Sequence, residues 1–288
     1  MRDSITGFSL FNENKLARQV DHRSVLMVES DADVSLIGLH VDEDVVRCKP
    51  GFARTATLLA AQLHLNYGDK WVAAIVDRDV VNSAVPSNAF TTRFYDLEAE
   101  IFLTNIDSVA QLTFRHLVTE ETAGSMRMSE ARQVVESAIE LARAIGWVRY
   151  ANNRQAMGIG TASLPLGEVV RRSRGKNTLI EAAAEMACVR ARQPALAAAL
   201  GADATSASND PSILIDVCNG HDLFNALRFR ISAVTGRAVA EREFARSLHA
   251  LVSCPEFVAT SVFGPVQAWF AREVGNGVFD CQLRTLMT

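Results

Sequence analysis

Carboxylate side chains follow two short apolar runs in the first third of this sequence. The runs are VLMV at 25–28 and VAAIV at 72–76, and the acids that follow them are Glu29, Asp33, Asp77 and Asp79. An apolar run that ends abruptly in acids is typical of a buried strand whose last side chains reach the carboxyl edge of a parallel sheet. Carboxylate oxygens are the ligands that hard cations prefer. The pattern therefore predicts a Mg2+ or Mn2+ site at this edge.

The spacing of the four acids suggests a role for each of them. Asp77 and Asp79 point the same way along an extended segment, so they can share one ion. Glu29 can ligate that ion or act as a general base that activates water for attack on a phosphodiester. Asp33 lies one helical turn beyond Glu29 and can help to hold a second ion. One-metal and two-metal sites both stay open.

The elements that must position these acids are visible in the hydrophobic periodicity. From about residue 24 to residue 100 short apolar strands alternate with helical segments, which predicts βαβ units and a mostly parallel α/β sheet flanked by helices. After about residue 97 the apolar spacing becomes helical. We therefore expect an α/β domain at 20–105 and a mainly helical C-terminal domain at 106–288.

Composition limits the class of protein. The chain has 288 residues, a formal net charge of −4 and 49% hydrophobic residues, as expected of a globular protein that binds nucleic acid only through a local patch. No apolar run approaches the roughly 18 residues that span a bilayer, and the N-terminus has no signal-peptide core. We expect a cytoplasmic protein without membrane contact.

The five cysteines predict no disulfide and no metal site. They are far apart in sequence, with no CxxC pair and no Cys/His cluster at zinc spacing: Cys48, Cys188, Cys218, Cys254 and Cys281. We interpret them as buried structural thiols.

Three further groups are candidates for supporting roles. Asp96 and Glu98 either assist the metal site or favour the N-terminus of the next helix, where carboxylates complement the helix dipole. His221, beside Asp222, is a candidate proton donor to a leaving oxygen, or a capping or structural histidine.

The third group is a basic run that offers the best candidate for phosphate binding; the alternative is a solvated basic turn. Its members are Arg171, Arg172, Arg174 and Lys176.

Four of these elements, in this order, resemble a known family. They are VLMVESDADV at 25–34, AAIVDRDV at 73–80, Asp-Leu-Glu at 96–98 and Gly-His-Asp at 220–222. The first two resemble the Toprim fold of topoisomerases, bacterial primases and overcoming-lysogenization-defect (OLD) nucleases. The full set is similar to a Toprim-related bacterial family encoded beside, or fused to, ABC-type or AAA-type ATPases in phage-defence loci. Ser30 stands where Toprim proteins usually have glycine, and Ala99 stands where relatives tend to have asparagine.

The resemblance implies a metal-dependent nuclease that hydrolyses DNA or RNA and acts as a phage-defence effector under the control of a partner ATPase. Two alternatives remain: a non-catalytic Toprim scaffold or sensor subunit, and a phosphoryl-transfer enzyme for small substrates. A phospho-acceptor receiver domain is disfavoured because it needs a lysine on a later strand, and none lies between Lys70 and Lys176. The substrate, DNA or RNA, and assembly into a homo-oligomer stay open.

Overall fold

The structure is a computed structural model. It describes residues 6–78, 84–118, 126–161, 164–175, 178–210, 213, 217–240, 244, 247 and 252–281. Within these residues no helix combines the length and the apolar character that crossing a bilayer requires.

The described part of the chain contains helices and four strands. In chain order they are α1 (Gly7–Ala17), β1 (Ser24–Val28), α2 (Asp31–Ile37), β2 (Val46–Pro50), α3 (Arg54–Asn66), β3 (Val72–Val76), β4 (Ala89–Thr91), α4 (Leu97–Thr104), α5 (Ile106–Leu117), α6 (Met128–Arg154), α7 (Leu166–Ser173), α8 (Leu179–Arg190), a 3-10 turn (Pro194–Leu196), α9 (Ala197–Ser208), α10 (Gly220–Thr235), α11 (Cys254–Val258) and α12 (Phe263–Val274).

The four strands form one parallel sheet in the order β2-β1-β3-β4. All residues of β1 and β3 are buried, which explains their continuous apolar sequences. The predicted parallel α/β fold is therefore confirmed for this part of the chain. Because β1 and β3 are central neighbours that run in the same direction, the residues that follow them emerge at the same edge.

Alternating side chains of the sheet fill two separate cores. Val25 and Met27 of β1 pack with apolar residues of α1 and α3. Leu26 and Val28 face the other core, which contains residues of α2, α4, α11 and α12. This alternation follows from the two-residue period of a strand. Helices on both faces leave the carboxyl edge of the sheet for the acids.

The described residues divide into two units whose boundaries differ from the prediction. One unit contains the described parts of 1–104 and 252–288, and the other contains those of 105–251. The hydrophobic periodicity predicted one mainly helical domain over 106–288. That assignment is corrected after residue 252, where the chain returns to the α/β unit and α11 and α12 supply part of its core. The named elements of the second unit, α5 to α10 and the 3-10 turn, are helical.

Candidate functional site

Glu29 and Asp77 meet at the carboxyl edge of the sheet. Glu29 directly follows β1 and Asp77 directly follows β3, and these strands are paired in parallel register. The backbone amide of Asp77 donates a hydrogen bond of 2.8 Å to Oε1 of Glu29. Both residues are partly buried, and the bond orients the Glu29 carboxylate at the edge without sealing it from solvent.

Glu29 and Asp77 lie at the point where the strand order of the sheet reverses. In the order β2-β1-β3-β4, the chain leaves β1 and forms β2 on one side of β1. It then crosses to the other side of β1, where it forms β3 and β4. In open α/β sheets this reversal leaves a crevice outside the carboxyl ends of the two central strands, and ligands bind there. Glu29 and Asp77 follow those two strands.

Asp33 has a local structural role. Its Oδ2 accepts hydrogen bonds from the Ser30 amide (2.9 Å) and from the Ser30 hydroxyl (2.7 Å), while the Asp33 amide donates to Ser30 Oγ (3.1 Å). This is a capping box at the start of α2. Ser30 has φ −137°, an extended conformation that needs no glycine. Serine thus fits this turn without backbone strain and stabilises the helix that follows β1.

The negative charge of Asp33 affects the pKa of a cysteine on the neighbouring strand β2. Burial, together with the nearby Asp33 carboxylate, raises the pKa of the Cys48 thiol on β2 to about 12. Cys48 therefore stays a neutral thiol and supplies neither a nucleophile nor a thiolate ligand at neutral pH.

The acids at this edge have the donor chemistry of a hard-cation site. A carboxylate offers about four lone-pair positions, so the hydrogen bonds to Glu29 and Asp33 leave capacity for coordination. The described acids do not bring three ligand atoms within 4.8 Å of one another; among the described residues only a His/Cys group does so. Asp79 lies outside the described residues. Carboxylate oxygens suit Mg2+ chemically, and Glu29, Asp33 and Asp77 are the described candidates, so the Mg2+ site stays a prediction.

The acids after β4 stabilise local structure. Oδ1 of Asp96 accepts a hydrogen bond of 2.7 Å from the amide of Ala99 and so caps α4. Glu98 lies in the first turn of the same helix. Both positions match the helix N-terminus alternative, because an acid there satisfies free N–H groups and complements the dipole.

Glu100 is a buried acid that the sequence analysis missed. It is 1% exposed, and its carboxylate accepts hydrogen bonds from the Arg93 amide (2.6 Å), the Ser261 amide and the Ser261 hydroxyl (3.1 Å). The signal in the sequence was weak, since Glu100 stands where an acid on the first turn of a helix is ordinary. Its partner Ser261 is distant in sequence.

Arg78 connects the ends of β3 and β4. Its amide donates to Oγ1 of Thr92 (3.0 Å), and its guanidinium donates to the carbonyl of Arg93 (2.9 Å). These bonds orient the backbone immediately after Asp77.

His221 lies in the second unit, on the first turn of α10. The helix is capped by Asn219, whose side chain accepts a hydrogen bond of 2.7 Å from the Asp222 amide. His221 is exposed, and its Nε2 lies 2.9 Å from Nδ2 of Asn225. The capping alternative for His221 is therefore wrong.

The surroundings of His221 form a cleft of about 530 Å³ that Arg228 and Phe229 also line. Asp222 is buried beside it and forms an ion pair with Arg149. An exposed imidazole next to a guanidinium is compatible with contact to a phosphate.

The basic run is partly neutralised. Arg171 forms an ion pair with Glu168, which lowers the pKa of that carboxyl through a side-chain hydrogen bond. Arg172 forms an ion pair with Glu185. Arg174 is exposed, and Lys176 lies outside the described residues. Two of the four cations thus have acidic partners, as in a solvated basic turn.

The interpretation of all five cysteines as thiols is wrong for one pair. Cys254 and Cys281 form a disulfide, and His40 lies against it. No spacing rule indicated this group, because its members are 27 to 241 residues apart. Cys48, Cys188 and Cys218 are not part of a disulfide.

No family model and no curated protein matches the chain.

Proposed function

We propose that this protein is a Mg2+-dependent or Mn2+-dependent nuclease with a Toprim-like α/β domain. The observation that carries the proposal is the hydrogen bond from the Asp77 backbone amide to the Glu29 carboxylate, which brings the ends of β1 and β3 together at the switch point of a parallel sheet. Rigid carboxylates at a sheet edge are what a Mg2+ site for phosphate chemistry requires.

Glu29, Asp33, Asp77 and Asp79 are the residues that would hold the cation. When bound, Mg2+ would supply positive charge to the phosphate and lower the pKa of a water molecule. The side chains of the protein would orient the water and accept its proton. Glu29 would accept a proton from the attacking water or serve as a ligand, and the bond from the Asp77 amide fixes its orientation.

The start of α3 can contribute to phosphate binding. This helix begins shortly after β2 ends at Pro50, and its N-cap residue, Ala53, provides no side-chain cap. The first amide groups of such a helix attract anions. Gly51 lies between the strand and the helix, where the chain is closely packed.

The second unit has candidate phosphate contacts of its own. His221 and Arg228 line one cleft, and they are the candidates there for proton transfer and phosphate binding. Arg174 and Lys176, together with the paired Arg171 and Arg172, would extend the basic surface toward DNA or RNA. The resemblance to phage-defence proteins adds a partner ATPase that controls the activity in the cytoplasm.

A direct test is cleavage of end-labelled DNA and RNA by the purified full chain with Mg2+, Mn2+ or a chelator. We expect metal-dependent cleavage by the wild type and a loss of about a hundredfold or more in Asp77→Asn, because a ligand charge is removed. Asp31→Asn is the matched control: it removes the same charge from an exposed position on the first turn of α2 and should keep activity within about twofold. Equal cleavage by all three proteins would refute the site.

The scaffold alternative is favoured by one observation: Glu29 and Asp33 both accept backbone N–H bonds that stabilise the fold itself. Asp79→Asn, expressed with the cognate ATPase, distinguishes the two. A nuclease loses phage protection while it still co-purifies with the ATPase, whereas a scaffold keeps both. Hydrolysis of a small phosphate ester with intact nucleic acid would instead support the small-substrate enzyme.

A further inference from the structure

His40, Cys254 and Cys281 form a cluster away from the carboxylates. Their ligand atoms all lie within 4.8 Å of one another, and Nδ1 of His40 is 3.2 Å from Sγ of Cys281. His40 lies in the loop between α2 and β2, before the strand begins, whereas Glu29 and Asp77 follow their strands. The two groups therefore belong to different edges of the sheet.

Backbone pairing builds this cluster. Residues 40–42 run antiparallel to residues 278–280 through the bridge between Val41 and Phe279. The Asp280 amide donates to the His40 carbonyl (2.9 Å), and the Asp42 amide donates to the Val278 carbonyl (2.9 Å). These bonds fix Cys281 beside His40 whether or not its sulfur is oxidised.

The ring of His40 is held in an apolar, aromatic shell. It is 3% exposed and stacks on Phe257, with centroids 4.3 Å apart and an interplanar angle of 5°. Phe257 in turn packs edge-on against Phe279. Burying a polar imidazole has a free-energy cost that a disulfide alone does not require. The imidazole is therefore the feature that a purely structural disulfide leaves unexplained.

The donor set is that of a zinc-type site. Two sulfurs and one imidazole nitrogen select borderline or soft cations over Mg2+. With bond lengths of about 2.3 Å to sulfur and 2.0 Å to nitrogen, tetrahedral ligand atoms lie roughly 3.5–3.8 Å apart. The three ligand atoms lie within 4.8 Å of one another while the two sulfurs are still bonded, so after reduction the sulfurs need only move apart to reach that spacing.

We propose that, when the disulfide is reduced, His40, Cys254 and Cys281 bind one Zn2+ ion, which replaces the disulfide as the link between the C-terminal segment and the α/β unit. Water completes the four ligands from the side of Cys254, the one partly exposed member of the three. This metal site is independent of the proposed nuclease site and of its Mg2+.

Zinc replaces the disulfide in two steps, reduction and then metal binding. A dithiol reductant transfers two electrons and two protons to the Cys254–Cys281 disulfide and becomes a disulfide itself, so the S–S bond breaks and two thiols form. Zinc binding then forms two Zn–S bonds and releases both thiol protons to solvent, while Nδ1 of His40 donates a lone pair. A small-molecule disulfide oxidant reverses the exchange: it takes two electrons from the two thiolates and two protons from solvent, becomes two thiols, and the Cys254–Cys281 bond forms again as zinc leaves.

The test is a Co2+ titration of the full chain after reduction with dithiothreitol and its removal under nitrogen. We expect sulfur-to-cobalt charge-transfer absorption and tetrahedral d–d bands that saturate at about one Co2+ per chain. About one equivalent of Zn2+ should abolish them, excess Mg2+ should not, and the oxidised protein should show none. Absence of the bands in a reduced chain whose five cysteines all titrate as thiols would overturn the proposal.

Variants assign the bands to this cluster. Cys254→Ser should weaken Co2+ affinity about a hundredfold, whereas Cys188→Ser, the matched control at a free buried cysteine of the second unit, should leave it unchanged. Unaltered affinity in a folded Cys254→Ser variant refutes the assignment. Should that variant misfold, alkylation of the reduced wild type decides: Zn2+ must protect Cys254 from iodoacetamide, and equal modification with and without Zn2+ refutes the site.

Discussion

The backbone amide of Asp77 donates a hydrogen bond of 2.8 Å to the carboxylate of Glu29, 48 residues earlier in the chain. The bond joins the ends of two neighbouring parallel strands just where each strand stops. It therefore gives Glu29 a structural role in addition to the proposed catalytic one. Variants of Glu29 must separate the two.

Glu29→Gln keeps an oxygen that can accept the Asp77 amide, whereas Glu29→Ala leaves that amide without its acceptor. We expect the free energy of unfolding to fall by about 1 kcal/mol in Glu29→Ala and to stay near that of the wild type in Glu29→Gln. Both variants should lose Mg2+ affinity by about tenfold or more, because both remove the charge. Urea denaturation and calorimetric titration measure the two effects. Wild-type Mg2+ affinity in Glu29→Gln would contradict the metal role.

Glu100 connects the start of α4 with the C-terminal segment at Ser261. Glu100→Ala removes the buried acceptor of two backbone amides and one hydroxyl, so we expect the free energy of unfolding to fall by about 3 kcal/mol. Glu98→Ala, on the same turn but only partly buried, should change it by less than about 0.5 kcal/mol. Similar denaturation midpoints for the two variants would show that the Glu100 contacts contribute little.

His64 on α3 makes stability depend on pH. Burial is the main cause that lowers the pKa of this histidine below 6.5; Lys15 and Lys49 lower it further, and the hydrogen bond with Asp69 opposes the shift. Because the folded pKa is depressed, the unfolded chain binds more protons below pH 6.5, so stability is full above that pH and falls as the pH decreases.

The loss should not exceed about 1.4 kcal/mol per pH unit, the limit for one proton. Urea denaturation of the wild type and of His64→Gln at pH 7.5 and 5.5 measures it, since the variant lacks this proton site. The wild type should lose more stability between the two pH values than the variant does. An equal loss in both proteins would assign the pH dependence to other groups.

Gly51 is required by close packing between β2 and α3. A Cβ at this position would lie 2.0 Å from Oγ1 of Thr57, which is fully buried. We expect Gly51→Ala to lower the free energy of unfolding by about 1–3 kcal/mol. Thr57→Ala should relieve part of that cost in the double variant, which a double-mutant cycle measures. Gly160→Ala, where a Cβ meets nothing within 4 Å, is the control and should have little effect.

Strand ends were predictable because they depend on local pattern. The runs at 25–28 and 72–76 are continuously apolar, as expected of strands buried on both faces, and the acids that follow them fall at the carboxyl edge of the parallel sheet. The capping role of Asp33 was also present locally, since Ser30 and Asp33 have the spacing of a capping box. The spacing of Ser30 and Asp33 therefore indicated a capping box as well as a metal ligand.

Only the tertiary structure decided which distant residues share a site. The order β2-β1-β3-β4 makes Glu29 and Asp77 neighbours, and no periodicity in the sequence encodes strand order. The return of the chain at residue 252 brings Ser261 to Glu100 and Cys281 to His40. A period of 2 or 3.6 residues predicts which face of an element is buried, but not which remote segment covers it. Packing complementarity and hydrogen bonds within the folded unit determine which segment covers that face.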